Sequence, residues 1–217
     1  MICMVSTRRD SGAPAKRERV PWGTISRKQI VDAAERAVRA GSYEQMTIRS
    51  LAASLGVSPM TLYHHVRDKD DLLDEVVDRL LARAWRPRAD PADWRNWLIE
   101  AADKLRRLLV DQPAALHVYL THPVASPAAL ARMDSVMTVL RRALGDDQAA
   151  QRAYAAVHTH TVGFAALEAS RAGWRPPVSQ NPELVQRLAA YTTPDQFRQG
   201  LSYLLDGIEH SANFEEQ

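Results

Sequence analysis

The 217-residue chain is 46% hydrophobic and 25% charged, an ordinary globular composition with apolar side chains enough for a sizeable core in one or two domains. It has no apolar run of eighteen or so residues to cross a membrane and no apolar segment of a secretion signal. Its one cysteine, Cys3, can make no internal disulfide, so the expectation is a cytoplasmic protein with no membrane partner. The net charge of +2 hides a polarity: up to Arg67 there are 11 Lys/Arg against 5 Asp/Glu, and beyond it 17 against 21. Such a basic end favours a phosphate backbone, and the acidic remainder weakens stray contact with it.

Residues 1–22 carry Arg8, Arg9, Lys16, Arg17 and Arg19 with little apolar periodicity, and read as a disordered basic arm. Three readings stand for this arm: a strand along the DNA backbone or minor groove, a solubilising tail, or a start codon displaced from Met4. The first helix opens at Ser26-Arg27-Lys28-Gln29, a capping box, with Ile25 and Ile30 as a hydrophobic staple. Ile30, Ala33, Ala34, Ala37 and Val38 form its buried stripe, and Gly41 ends it.

The segment Thr47 to Val66, TIRSLAASLGVSPMTLYHHV, reads as two short helices joined by a glycine turn. Ile48, Leu51, Ala52 and Leu55 fall at helical spacing, Gly56 frees the backbone for the turn, and Val57 plugs the angle. Ser58 is a good N-cap and Pro59 suits the first helical position. Pro59, Leu62 and Val66 share the inward side, which turns Met60, Thr61, His64 and His65 outward, with Tyr63 at the margin. That polar face suits base edges and phosphates.

Asp68 caps a further helix whose first turns hold Asp70, Asp71 and Asp74, at the positive end of its dipole. Its stripe of Leu72, Leu73, Val76, Val77, Leu80 and Leu81 runs to Trp85, where Pro87 and Pro91 break the pattern. Helices follow near Asp93 to Val110, Pro113 to Leu120, Pro127 to Leu144, Asp147 to Gly173, Pro182 to Tyr191 and Pro194 to His210, with no strand pattern and no repeat. The fold class is all-α.

The chain from about Ile25 to Trp85 resembles the tetracycline-repressor (TetR) family of bacterial regulators. The resemblance is carried by ISRKQIVDAAERAV, by Thr47-Ile48-Arg49-x-Leu51-Ala52, by Leu55-Gly56-Val57, and by Thr61-Leu62-Tyr63-x-His65-Val66 followed by Lys69 and Leu72-Leu73. A looser resemblance covers the C-terminal half, best at FRQGLSYLLDGIE. It implies four parts: the arm 1–22, a helix-turn-helix DNA-binding domain at 23–67, a connecting helix at 68–85, and an effector-binding and dimerisation domain at 86–217.

Several roles follow as expectations from the resemblance. Arg49, Thr61, Tyr63, His65 and Lys69 match family positions that contact DNA, and Thr47, Ser58, Pro59, Met60 and His64 complete the expected DNA-binding set. The implied partners are a double-stranded, palindromic DNA operator, a small-molecule effector and a second copy of the chain, for a repressor that the effector releases. For the effector pocket the mixed aromatic, soft and polar residues are Trp94, Trp97, His117, Tyr119, Met133, Met137, Tyr154, His158, Thr161 and Phe164, with His122 and His160 nearby in sequence. Each of these fits plain core packing as well.

Two stripes offer a dimer face. One is Phe197, Leu201, Leu204, Leu205 and Ile208, the other Ala153, Tyr154, Val157, Thr161, Phe164 and Ala165 on an alanine-rich helix. Periodicity leaves internal packing open for both; the resemblance implies that these helices pair with their copies as a four-helix bundle. An enzyme is not expected. His158 and His160, two apart on a helix, point about 200° away from each other, and there is no HExxH-like set, phosphate loop or nucleophile elbow. No metal and no cofactor are expected. The alternative of another class is a helical ligand-binding or partner-binding protein without sequence-specific DNA recognition.

Overall fold

Helix boundaries in this protein coincide with side chains that cap them. The computed structural model describes residues 25–84, 92–121, 123–173, 175, 178 and 180–215, the last four by backbone alone. The expected basic arm, the break at Pro87 and Pro91, and His122 lie outside the described residues. These residues form ten helices and no strand: α1 (Arg27–Arg39), α2 (Ile48–Leu55), α3 (Pro59–Tyr63), α4 (Lys69–Ala84), α5 (Trp94–Asp111), α6 (Pro113–Thr121), α7 (Pro127–Leu144), α8 (Asp147–Ser170), α9 (Pro182–Ala190) and α10 (Pro194–Glu215).

The capping box of α1 forms as its sequence predicts. Ser26 Oγ accepts from the Gln29 N–H at 3.3 Å, and Gln29 Oε1 accepts from the Ser26 N–H at 2.8 Å. Thr47 and Ser50 make the same reciprocal pair at the start of α2, at 3.0 and 2.9 Å. Gly56, at φ 71°, takes the left-handed conformation that ends α2, where a side chain would cost about 1–2 kcal/mol.

One apolar core runs from the head into the body. Ile30, Val31, Leu51, Ala52 and Leu62 pack with Leu72, Leu73, Val76 and Val77 of α4, and the same cluster continues through Leu105, Leu109, Ala114 and Val118 to Ala165. The helix α4 therefore belongs to both halves: it packs on α1 at one side and on α5, α6 and α7 at the other. Ion pairs stitch α1 to α4 along their length, Arg27 to Glu75 at 2.7 Å, Arg79 to Asp32 at 2.6 Å, and Arg83 to the buried Glu35. Half-exposed pairs contribute little stability each, about 0–1 kcal/mol, but a row of them fixes the two helices in register.

A second core lies farther from the head, among α5, α7, α8 and α10. Phe197, Leu201 and Leu205 are 0% exposed within it, beside Leu98, Leu140, Ala153 and Val157. Of the residues expected on the dimer stripes, Phe197, Leu201, Leu205, Ala153 and Val157 face the interior of their own protomer, because α10 packs on α5 and α8 in the same chain. Leu204 and Ile208 stay partly exposed and line a shallow groove with Ala156, Tyr203 and Gly207. Gly200 permits the close approach of α10 to α8, since a Cβ there would lie 2.9 Å from the His160 ring. That ring stacks on Phe197 at 5.2 Å.

Candidate nucleic-acid interface and sensor cavity

In the helix-turn-helix, burial separates inward from outward side chains. Leu62 and Val66 are buried, whereas Met60 is 63% and Tyr63 50% exposed. Arg49 and His64 are also exposed, and His65 is half-buried. Among the described residues Arg49 makes no ion pair or hydrogen bond. Its side chain is free to meet a phosphate or a base.

The remaining expected contacts have local duties. Thr47 caps α2. Ser58 caps α3, accepting from the Thr61 N–H at 3.3 Å, and its hydroxyl lies 3.0 Å from that of Thr61. Pro59 occupies the first turn. The helix is shorter than the spacing implies, ending at Tyr63, although the Val66 N–H still reaches the Leu62 carbonyl at 2.9 Å. Lys69 lies back on the head, donating to the Glu44 carbonyl at 3.2 Å with its ammonium 5.7 Å from the centre of the Tyr43 ring. The Arg27 guanidinium donates to the His65 carbonyl and holds the turn after α3 against α1.

The body contains a cavity in two chambers. One has apolar walls from Leu98, Ala101, Ala102 and Leu105 of α5, Val136 of α7 and Val157 of α8. The other is lined by Tyr119, Val124, Leu130 and Met133. Arg132, Tyr154 and His158 line both and form a polar collar between them. The ring of His158 stacks on Tyr154 at 5.4 Å and tilts against Tyr119 at 5.9 Å, and Arg132 donates to the Tyr119 hydroxyl at 2.8 Å.

The collar is electrically biased. Burial lowers the affinity of His158 for a proton, and the Arg132 charge lowers it further, so the imidazole is held below its usual 6.5. Burial pushes the Tyr119 and Tyr154 hydroxyls above their usual 10.0 against the opposing pull of Arg132. The cavity therefore presents neutral hydrogen-bonding rings beside one cation.

Of the ten residues expected in the pocket, Tyr119, Met133, Tyr154, His158 and Thr161 do line it, while the other five lie elsewhere. Met137 is buried in the second core, against which Trp94, Trp97 and Phe164 also pack. His117 is exposed on α6 and faces the head, its ring 6.0 Å from that of Tyr43. His158 and His160 face different elements, the cavity and α10, and no group of three metal-ligating side chains occurs among the described residues.

Two features lay beyond sequence reasoning. Arg132 reads in sequence as one more charge on an amphipathic helix. Asp103 and Arg106, on the buried face of α5, are 3% and 4% exposed, and Arg106 joins Asp103 at 2.8 Å and Glu168 of α8 at 2.5 Å. Asp103 also accepts from Arg107 and, at 3.2 Å, from Arg198 of α10.

The comparisons with known proteins agree with this arrangement. Residues 30–76 match the family described as bacterial regulatory proteins, tetR family, and residues 86–212 match the tetracyclin repressor-like C-terminal domain. The chain belongs to the TetR family. It is 30% identical to an HTH-type transcriptional regulator of Saccharopolyspora erythraea, over 88% of this chain and 87% of that protein. It is also 30% identical to the HTH-type transcriptional repressor DrrR1 of Streptomyces coeruleorubidus, over 88% and 80%. Among solved structures, apo ActR of Streptomyces coelicolor superposes with a TM-score of 0.74 at 24% identity, covering 88% of this chain and 98% of that one, and ActR has also been solved with (S)-DNPA bound. As a TetR-family member the protein is a DNA-binding transcriptional regulator and not an enzyme. No helix among the described residues is long and apolar enough to cross a membrane.

Proposed function

We propose that this TetR-family protein is a homodimeric repressor that binds a palindromic operator and is released by a small molecule held in the two-chambered cavity. The observation that carries the reading is α4, which shares one core with the helix-turn-helix and with the cavity-bearing helices. At its middle the Asp78 carboxylate accepts from the Ala128 N–H, in the first turn of α7, at 2.7 Å. Four residues farther along α7 is Arg132 of the collar. A ligand that repositions α7 thus acts on the helix that carries the head.

The division of labour is the one that the family resemblance implies. Residues 23–67 read DNA, 68–85 connect, and 86–217 sense and dimerise. Arg49, Met60, Tyr63 and His64 present the outward surface, and Lys69 reaches a phosphate by leaving the Glu44 carbonyl. One α3 touches too few base pairs to be specific, so two copies are needed, about 34–36 Å apart on successive turns of DNA. The groove of Ala156, Tyr203, Leu204, Gly207 and Ile208 is the surface for the second copy, its small residues allowing close helix approach. The relative DrrR1 is named a repressor and ActR has been solved with a ligand, which supports the same reading here.

Sedimentation of the protein with and without the DNA flanking its gene tests this directly. The expected result is a dimer that takes up one DNA duplex in a salt-sensitive way. A monomer that binds no flanking DNA at low salt contradicts it.

A further inference from the structure

Arg132 stands out in the cavity because nothing there neutralises it. It is half-buried, its one hydrogen bond goes to the neutral Tyr119 hydroxyl at 2.8 Å, and no carboxylate among the described residues pairs with it. None of the described residues lining either chamber is Asp or Glu. The other guanidinium close to this cavity behaves oppositely: Arg106, on the far face of α5, is closed off by Asp103 and Glu168. A guanidinium has five donors in a planar fork, so Arg132 has donors left for a planar anion. Next to it the stacked rings of Tyr154 and His158 offer a flat face, and the chamber behind them is apolar.

We infer that the effector is an organic acid, an aromatic body carrying a carboxylate, with the carboxylate on Arg132 and the ring body in the chamber walled by Leu98, Ala102 and Val136. The inference rests on the reading of this cavity as the effector site. Its physical basis is a charge-assisted, bidentate pair formed only when the ligand arrives, which supplies the missing counter-charge. The Tyr119 hydroxyl is released or shared in that event. Since Tyr119 belongs to α6 and Arg132 to α7, loading the anion also changes how these two helices meet beside α4.

A matched probe set tests the proposal: 2-naphthoic acid, its methyl ester and 2-naphthylmethylamine, titrated by calorimetry into the full-length protein and into Arg132→Gln, Arg132→Lys and Ala102→Trp. The expected result is that the acid binds about 10- to 100-fold more tightly than ester or amine, the range that a hydrogen bond to a charged partner supplies. Arg132→Gln should erase that preference by bringing the acid to the level of the ester, Arg132→Lys should keep part of it, and Ala102→Trp should abolish binding by filling the chamber. Equal binding of acid and ester, or a preference for the acid that survives Arg132→Gln, overturns the inference while leaving the effector cavity in place. Failure of all three probes to bind, or binding indifferent to Ala102→Trp, removes the cavity as effector site and the inference with it.

Discussion

The head and the body place charge differently: in the head the buried Glu35 is met by the half-exposed Arg39 and by Arg83 of α4, whereas in the body a carboxylate and a guanidinium, Asp103 and Arg106, are buried together. Ser26, Thr47 and Ser58 cap the helices they precede, within three residues of their partners. Asp103, by contrast, gathers Arg106 and Arg107 of its own helix and Arg198 of α10, 95 residues away, while Arg106 reaches Glu168 on α8. The head closes the buried Glu35 with arginines at its surface and turns Met60 and His64 of the helix-turn-helix outward. The body has a buried ion pair and a cavity beside it.

The largest effect expected from breaking this contrast is at Asp103. Burial pushes its carboxyl up, but the hydrogen bonds and charges of Arg106 and Arg107 more than reverse this, so it sits below its usual 3.8. Asp103→Ala leaves the buried Arg106 with Glu168 alone and should cost about 3–5 kcal/mol in urea unfolding at fixed protomer concentration. A folded-state value below the unfolded one means that this stabilisation is present above pH 3.8 and is lost as the pH falls from there through the lowered value. The same acid titration on Asp103→Ala should show a shallower loss in that range.

On the head, Arg49→Ala and Tyr63→Ala should leave stability within about 0.5 kcal/mol, being exposed. They should weaken operator binding by about 1–3 kcal/mol each if they touch bases, and if they touch phosphates Arg49→Ala should also lower the salt slope by about one. Anisotropy titrations at two salt concentrations separate the two. Gly56→Ala sharpens the comparison from within the head. At φ 71° a side chain is strained, and a loss of about 1–2 kcal/mol in thermal unfolding is expected, with operator contacts otherwise preserved.

The smallest effect expected is at His158. Its proton affinity is lowered by burial and by Arg132, so the stabilisation it contributes is present above pH 6.5 and fades as the pH falls below that value. His158→Gln should flatten the pH dependence of unfolding just below 6.5, and a histidine titration followed by NMR should place this ring below that value.

The contrast also explains what could be read from the residues alone. The capping box of α1, the glycine turn, the proline starts of α3, α7, α9 and α10, and the α4 stripe are local signals, and the structure carries them within a residue or two. Leu62 and Met60 sort correctly because a helix of five residues has only one inward side. Periodicity on α10 identified an apolar stripe but not its partner, and Phe197, Leu201 and Leu205 turned to their own α5 and α8. Within the cavity, Tyr154, His158 and Thr161 share a face of α8 at spacings of four and three, so a helical wheel brings them together. Arg132 and Asp103 were illegible because a charged side chain on an amphipathic helix reads as solvated until the helix beyond it is in place. Lys69 shows the limit from the other side, since nothing local in its sequence points to Tyr43 and the Glu44 carbonyl, 25 residues earlier.

The account holds that the head reads DNA through its own exposed face. One crossed measurement tests this most directly: operator affinity of the wild type, of Arg49→Ala with Tyr63→Ala, and of Arg187→Ala, which removes an exposed charge from the body, each titrated on the DNA flanking the gene without any ligand. The account predicts that the head variant loses about 5-fold or more per contact while Arg187→Ala binds as the wild type does. Unchanged binding by the head variant, or an equal loss in Arg187→Ala, would contradict it.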